Sequence, residues 1–208
     1  MNERRTAICE AVLDLAAEGG NRAVTHGAVD RLLDLPKGST SYYFRSRSDL
    51  LRAAIEHLAT RSRAAIDRAG PLTVDLDAAA DIMAAQLDLL LGERRRDALA
   101  RYALAPDAAG EGLAGSLATC LFSTPLATSL CAELGAPDPR AAARDVISLL
   151  EGLLIDRLYG ARSLAGMPAG SEVSVADLRA PIRRWLLACG TSGGPLGTQV
   201  PGGPASAE

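Results

Sequence analysis

Residues 37–47 read KGSTSYYFRSR. This stretch holds the only Lys of the chain, two Arg, a run of small hydroxyl residues, and three of the six Phe and Tyr residues. A basic, hydroxyl-rich helix start followed by aromatic residues suits a helix that reads DNA. Phosphate contacts set its register, and short polar side chains near a helix N-terminus reach base edges. The spacing predicts a helix over Lys37–Phe44 that is too short and polar to stand alone. It needs a platform, and Phe44 is the natural anchor into one.

The residues before it supply that platform. Residues 3–18 form an amphipathic pattern, with Ile8, Val12, Leu15 and Ala16 on one face and Glu10, Asp14 and Glu18 on another. Gly19-Gly20 ends it. Thr25 caps a second short helix, and Val24 with Val29 makes a hydrophobic staple. Ala28, Val29, Leu32 and Leu33 form its apolar face, and Asp34-Leu35-Pro36 is a tight turn. Two short helices joined by a tight turn, the second polar, make a helix-turn-helix.

The residues after it form longer helices. Ser46 and Asp49 make a capping box for a fourth helix that runs to Ala69, with Leu51, Ile55, Leu58, Ser62 and Ala65 on one face and Gly70-Pro71 as its stop. A fifth is expected over Asp75–Leu91. A sixth opens at Arg94-Arg95-Arg96 and is broken by Pro106 and Gly110. A seventh covers 113–134, with a kink at Pro125. An eighth, 140–159, is apolar on more than one face, and Ser174–Ala188 is the last. After Cys189 the tail has no periodicity and is expected to be disordered. The expected fold is all-α, with about nine helices, no strands and no internal repeat.

Composition agrees with this and excludes several classes. The 208 residues are 48% hydrophobic and only 3% aromatic, so the core is aliphatic, as in closely packed helices. No long uncharged apolar window or leader-like start occurs, which predicts a cytoplasmic protein that does not enter a membrane. Cys9, Cys120, Cys131 and Cys189 stand singly and are expected as reduced, mostly buried thiols. Net charge is −3, yet residues 1–68 carry 11 basic and 9 acidic side chains against 11 and 16 in the remainder. A mildly basic head on an acidic body fits a small DNA-binding unit attached to something else.

Weaker signals are read blandly. Residues 110–115, GEGLAG, match a dinucleotide fingerprint in letters only, because no βαβ unit surrounds them. Arg94-Arg95-Arg96 reads as a solvated helix start. His26 and His57 are too isolated for a metal site, although His26 could approach a phosphate. No nucleophile elbow, zinc signature or P-loop occurs, so nothing points to an enzyme, a cofactor or a metal.

Taken together the chain resembles the TetR family of one-component transcriptional regulators. Over residues 5–58 the family shows a first helix ending in Gly, a capping Thr, then K-G-[ST]-x-[YS]-Y-[HY]-F-[KR]-[ST]-[KR]-x-[DE]-L, and KGSTSYYFRSRSDL follows it in register. Three positions carry less usual residues in or just before it. Asp34 stands where Gly is usual, Pro36 where Ser is common, and Ser41 where the first tyrosine falls. The resemblance implies a DNA-binding head over 1–60, an effector-binding and dimerisation body over 61–190, and a disordered tail over 191–208. It implies that Thr25 caps its helix and reaches a phosphate. Lys37 and Gly38 would lie close to base edges, with Ser39 and Ser41 facing the major groove. Tyr42 and Tyr43 would hold phosphates, and Arg47 would add charge. It places an effector pocket near Met83, Leu87, Tyr102, Cys120 and Phe122. It places a two-fold interface at Leu150, Leu154, Leu158, Leu178, Ile182 and Trp185. The expected partners are double-stranded operator DNA, a small-molecule effector and a second copy of the chain. The expected function is ligand-responsive regulation, as a repressor released from a palindromic operator by its effector. The competing reading is a helical small-molecule-binding or protein-interaction module without DNA binding, which would have no reason to keep Lys37–Arg47.

Overall fold

In the computed structural model, which describes residues 3–69, 75–110 and 112–191, helix α1 (Glu3–Gly19) buries Ile8, Val12, Leu13 and Ala16. A 3-10 turn over Asn21–Ala23 and two extended residues follow, and the hydroxyl of the second, Thr25, accepts the Ala28 N–H at 3.1 Å to start α2 (His26–Leu32). Val24 and Val29, the staple pair, are both fully buried. Helix α3 is Ser39–Tyr43, shorter than the expected Lys37–Phe44. Lys37 and Gly38 stay in the turn because Gly38 is left-handed, at φ 92°, and ends the preceding loop instead of joining the helix. Phe44 is 2% exposed and anchors α3 against α1 and α4. Asp34, where the resemblance leads one to expect Gly, also has a left-handed backbone, at φ 50°. Asp tolerates that conformation better than most residues.

Helix α4 (Arg47–Ala69) starts on the expected capping box. Ser46 N–H donates to Asp49, and Asp49 N–H donates to the Ser46 hydroxyl at 3.0 Å. Its 23 residues carry the chain out of the head while Leu51, Ile55, Leu58 and Ser62 stay buried. The expected stop at Gly70-Pro71 and the tail from 192 lie outside the described residues. The body comprises α5 (Leu76–Leu91), α6 (Arg95–Gly110), α7 (Ala114–Ala118), α8 (Thr124–Glu133), α9 (Pro139–Tyr159) and α10 (Glu172–Thr191). Helix α1 packs on α6, α5 on α10, and α8 on α9. No strand occurs among the described residues, and no described helix is long and apolar enough to cross a membrane. All four cysteines are free thiols, three of them buried.

Two boundaries differ from expectation. Pro106 lies inside α6 and does not break it. Leu104 and Ala108, on either side, are fully buried, so packing carries the helix past one missing hydrogen bond. The single helix expected over 113–134 is two helices. Residues 119–123 leave the helical path, and Ser123 then caps α8, with Pro125 in its first turn.

Buried polar chains tie the bundle together. Arg157 donates to the Ser174 hydroxyl at 2.8 Å, and Ser174 donates to Asp88 at 2.5 Å. Asp88 also accepts the Gly170 N–H at 2.6 Å, which joins α5, α9 and the start of α10. At the α1–α4–α6 junction Glu10 accepts from His57, Arg61 and Arg96. Burial would raise the Glu10 carboxyl, but these hydrogen bonds and the two arginine charges bring it down to about 2. Arg94 pairs with Asp97, and Arg96 also pairs with Asp14. The expected solvated arginine run is therefore correct for Arg95 alone, since its two neighbours join α6 to α1 and α4.

Candidate nucleic-acid interface and effector cavity

Asp30 on α2 holds the start of α3. It is 4% exposed and accepts three hydrogen bonds: from Gly38 N–H at 2.8 Å, Thr40 N–H at 2.8 Å and the Thr40 hydroxyl at 2.6 Å. Burial opposes ionisation, yet the Thr40 and Gly38 hydrogen bonds, with help from the His26 charge, keep the carboxyl below its ordinary range. Two orphan N–H groups at the front of a helix of five residues thereby gain a fixed acceptor. At the other end His26 Nε2–H donates to the Phe44 carbonyl at 2.7 Å. His26 is thus committed inside the head. Both braces escaped sequence reading. The available signal was an acidic residue flanking the apolar face of α2, eight residues before a glycine and ten before a hydroxyl.

With α3 held at both ends, its outer face presents the sequence-predicted residues. Lys37 and Ser41 are exposed, and Tyr42 is 82% exposed. Tyr43 is half-buried, with its ring edge-on to Tyr42 at 5.3 Å. Ser39 is partly turned back, its hydroxyl donating to the Pro36 carbonyl at 2.6 Å. Thr25 is exposed while capping α2. Arg47 differs from the rest of the set. Its guanidinium donates to the carbonyls of Val24 at 3.3 Å and Asn21 at 3.1 Å, and pairs with Asp107 of α6. The Arg47 hydrogen bond holds the Asp107 carboxyl below its usual range against the opposing effect of burial. Arg47 therefore joins head to body. Arg45 and Arg52, which sequence reading left out, flank Tyr43 and Phe44 at the surface, with Arg5 stacked over the Phe44 ring at 4.6 Å.

The body contains an apolar cleft between α4, α5, α8 and α9. It offers about 90 Å³ to the centre of a water-sized sphere, or about 620 Å³ with every gap and the open mouth counted, and Ile66, Met83, Gln86, Phe122 and Leu150 stand on its walls. Of the sequence-predicted pocket residues, Met83 and Phe122 line it. Leu87 and Cys120 are fully buried in the surrounding core, and Tyr102 donates to Glu151 at 2.8 Å. Ile66 and Ile147, eighty-one residues apart, face the same space.

The residues expected at the two-fold interface lie mostly in the protomer's own core. Leu154, Leu178 and Ile182 have no exposed surface, and Leu150 and Leu158 have 6% each, because they pack inside a single protomer. Trp185 is half-buried. The large apolar side chains that α9 and α10 present outward are Ile155, Tyr159, Val173 and Leu187.

Residues 74–188 match the model of the tetracycline repressor-like C-terminal domain, which is more than half of the chain. No match is found among curated proteins. Among solved structures, the chain is 25% identical to a TetR family member from Streptomyces coelicolor A3, with a TM-score of 0.64 over 88% of this chain and 98% of that one. It has the fold of the multidrug-binding protein EbrR in complex with ethidium, at 24% identity and TM-score 0.63 over 88% and 98% of the two chains. A Rhodococcus sp. protein described as a TetR-family transcriptional regulator is 20% identical, with TM-score 0.68 over 91% and 100%. Regulators of this kind are generally not enzymes. With its body matched along nearly its whole length, and a braced, exposed helix-turn-helix in front of it, the chain belongs to the TetR family of ligand-responsive, DNA-binding transcriptional regulators.

Proposed function

We propose that the protein acts in the cytoplasm as a repressor. It binds a palindromic operator as a two-fold homodimer and is released by a small molecule entering the α4–α5–α8–α9 cleft. Residues 1–60 form the DNA-binding head and 61–190 the effector-binding body. The observation that carries this is the course of α4. It begins at Arg47, beside the recognition helix, and places Ile66 on the cleft wall. An occupant of the cleft therefore touches the same rigid element that positions the head. Differential affinity for two placements of α4 is all that release requires. EbrR, of the same fold, holds ethidium in a solved complex, which supports reading the cleft as an effector site.

Ile155, Tyr159 and Leu187 form the pairing surface in this reading, in a four-helix arrangement about a two-fold axis. It would set two copies of α3 on successive major grooves about 34 Å apart. A gel shift on DNA flanking the gene tests the reading. The expected result is a sequence-selective shift that weakens with salt, and its absence would sink the proposal. Sedimentation tests the pairing. Tyr159→Arg with Leu187→Arg should give folded monomers, whereas Leu154→Arg should unfold the protomer by burying a charge.

A further inference from the structure

The cleft's walls are apolar except for Gln86 and Ser123, and no charged side chain lines it. The Ser123 hydroxyl already caps α8 by accepting the Leu126 N–H at 3.4 Å. A buried cation would meet no counter-charge here, and an unpaired buried charge is strongly disfavoured.

A second hollow adjoins the first and shares Ile66, Phe122 and Ser123 with it. Its lining adds Arg63, Thr119, Thr124 and Pro125, with no carboxylate among them. Arg63 lies one turn before Ile66 on α4. It is exposed and donates to the Thr60 hydroxyl at a long 3.4 Å. The neighbouring cation Arg101, by contrast, is already matched by Glu151, at 3.0 and 2.5 Å.

We infer that the effector is an anionic amphiphile, whose apolar body fills the cleft and whose carboxylate end meets Arg63 at the mouth. This rests on the cleft being the effector site. One helix would then hold both ends of the ligand, Ile66 against the chain and Arg63 against the acid. The acid pairs with an exposed guanidinium, so it need not be fully dehydrated. The chemistry selects a fatty-acid-like or aryl-alkyl carboxylate and rejects a quaternary ammonium of equal length.

Calorimetric titration with decanoate, decanol and decyltrimethylammonium, each below its micelle concentration, tests this on the full chain and on Arg63→Gln. Decanoate should bind about tenfold more tightly than decanol, with the ammonium weakest. Arg63→Gln, at an exposed position, should bring decanoate to the decanol level and leave decanol unchanged. If the ammonium binds as well as decanoate, or Arg63→Gln leaves decanoate untouched, the charge assignment is overturned and the effector site stands. If none of the three binds to chain shown folded by circular dichroism, the cleft itself is overturned as the effector site.

Discussion

At the front of α3 a single buried carboxylate, Asp30, meets two N–H groups and a hydroxyl that lie within ten residues of it. In the cleft, side chains from Ile66 to Leu150 meet with hardly a hydrogen bond among them. The difference concerns how each region can respond. A hydrogen-bonded brace has one good geometry, because any other strands a buried polar group. An apolar wall is held by non-directional forces, and its side chains can repack around an occupant at small cost. The DNA-facing end is thus built to keep one shape and the cleft to accept a change, while α4 belongs to both.

The largest expected effect comes from removing the brace. Asp30→Ala leaves the Thr40 hydroxyl and N–H buried without an acceptor, and should cost about 3 kcal/mol in urea denaturation. Operator affinity should drop by at least about a hundredfold, more than the lost stability alone accounts for, because α3 loses its fixed start. An unchanged denaturation midpoint would show that the brace is idle. Next is Phe122→Ala on the cleft wall, expected to cost about 3 kcal/mol, the low end for such a truncation because the ring borders open space. Operator binding without effector should stay within about threefold, which is below 1 kcal/mol. A loss comparable to that of Asp30→Ala would erase the distinction between the two regions.

A smaller contrast separates the two cations of the opening stretch. Lys37→Ala should flatten the log–log salt dependence of DNA binding by roughly 0.9, the value for one phosphate contact. Arg47→Ala should leave that slope alone, since its guanidinium is taken by Asn21, Val24 and Asp107. Equal changes in both would return Arg47 to the DNA. The smallest effect concerns Glu10, held at about 2 in the fold against an ordinary 4.5. A depressed carboxyl contributes stability that is present above its unfolded value and lost as pH falls through the folded one. Stability should therefore decline between about pH 4.5 and 2, and less steeply in Glu10→Gln. The effect is modest, because the pairs are partly exposed and screened. Parallel declines in both proteins would remove Glu10 as the cause.

The head was legible because its determinants are near neighbours. Thr25 with Ala28, Ser46 with Asp49, and Phe44 as anchor each follow from a few adjacent residues. Even there, Asp30 and His26 were missed, since their partners lie eight to eighteen residues away across a turn. In the body the helices were legible and their faces were not. An apolar run such as 146–158 has apolar residues on several sides, so spacing alone cannot say which side meets its own protomer. Leu154 and Ile182 went inward and Tyr159 outward.

By itself, then, the sequence determined the all-α class, the caps and the recognition segment, and through that segment the family. Each depends on interactions within one or two helical turns, which residue order states directly. Tertiary structure alone decided that Asp30 clasps α3, that Arg47 binds the body and not only the solvent side of the head, and that Ile66, Met83, Phe122 and Ile147 face a common space. These depend on how helices distant in the chain cross, and residue order carries no local mark of that.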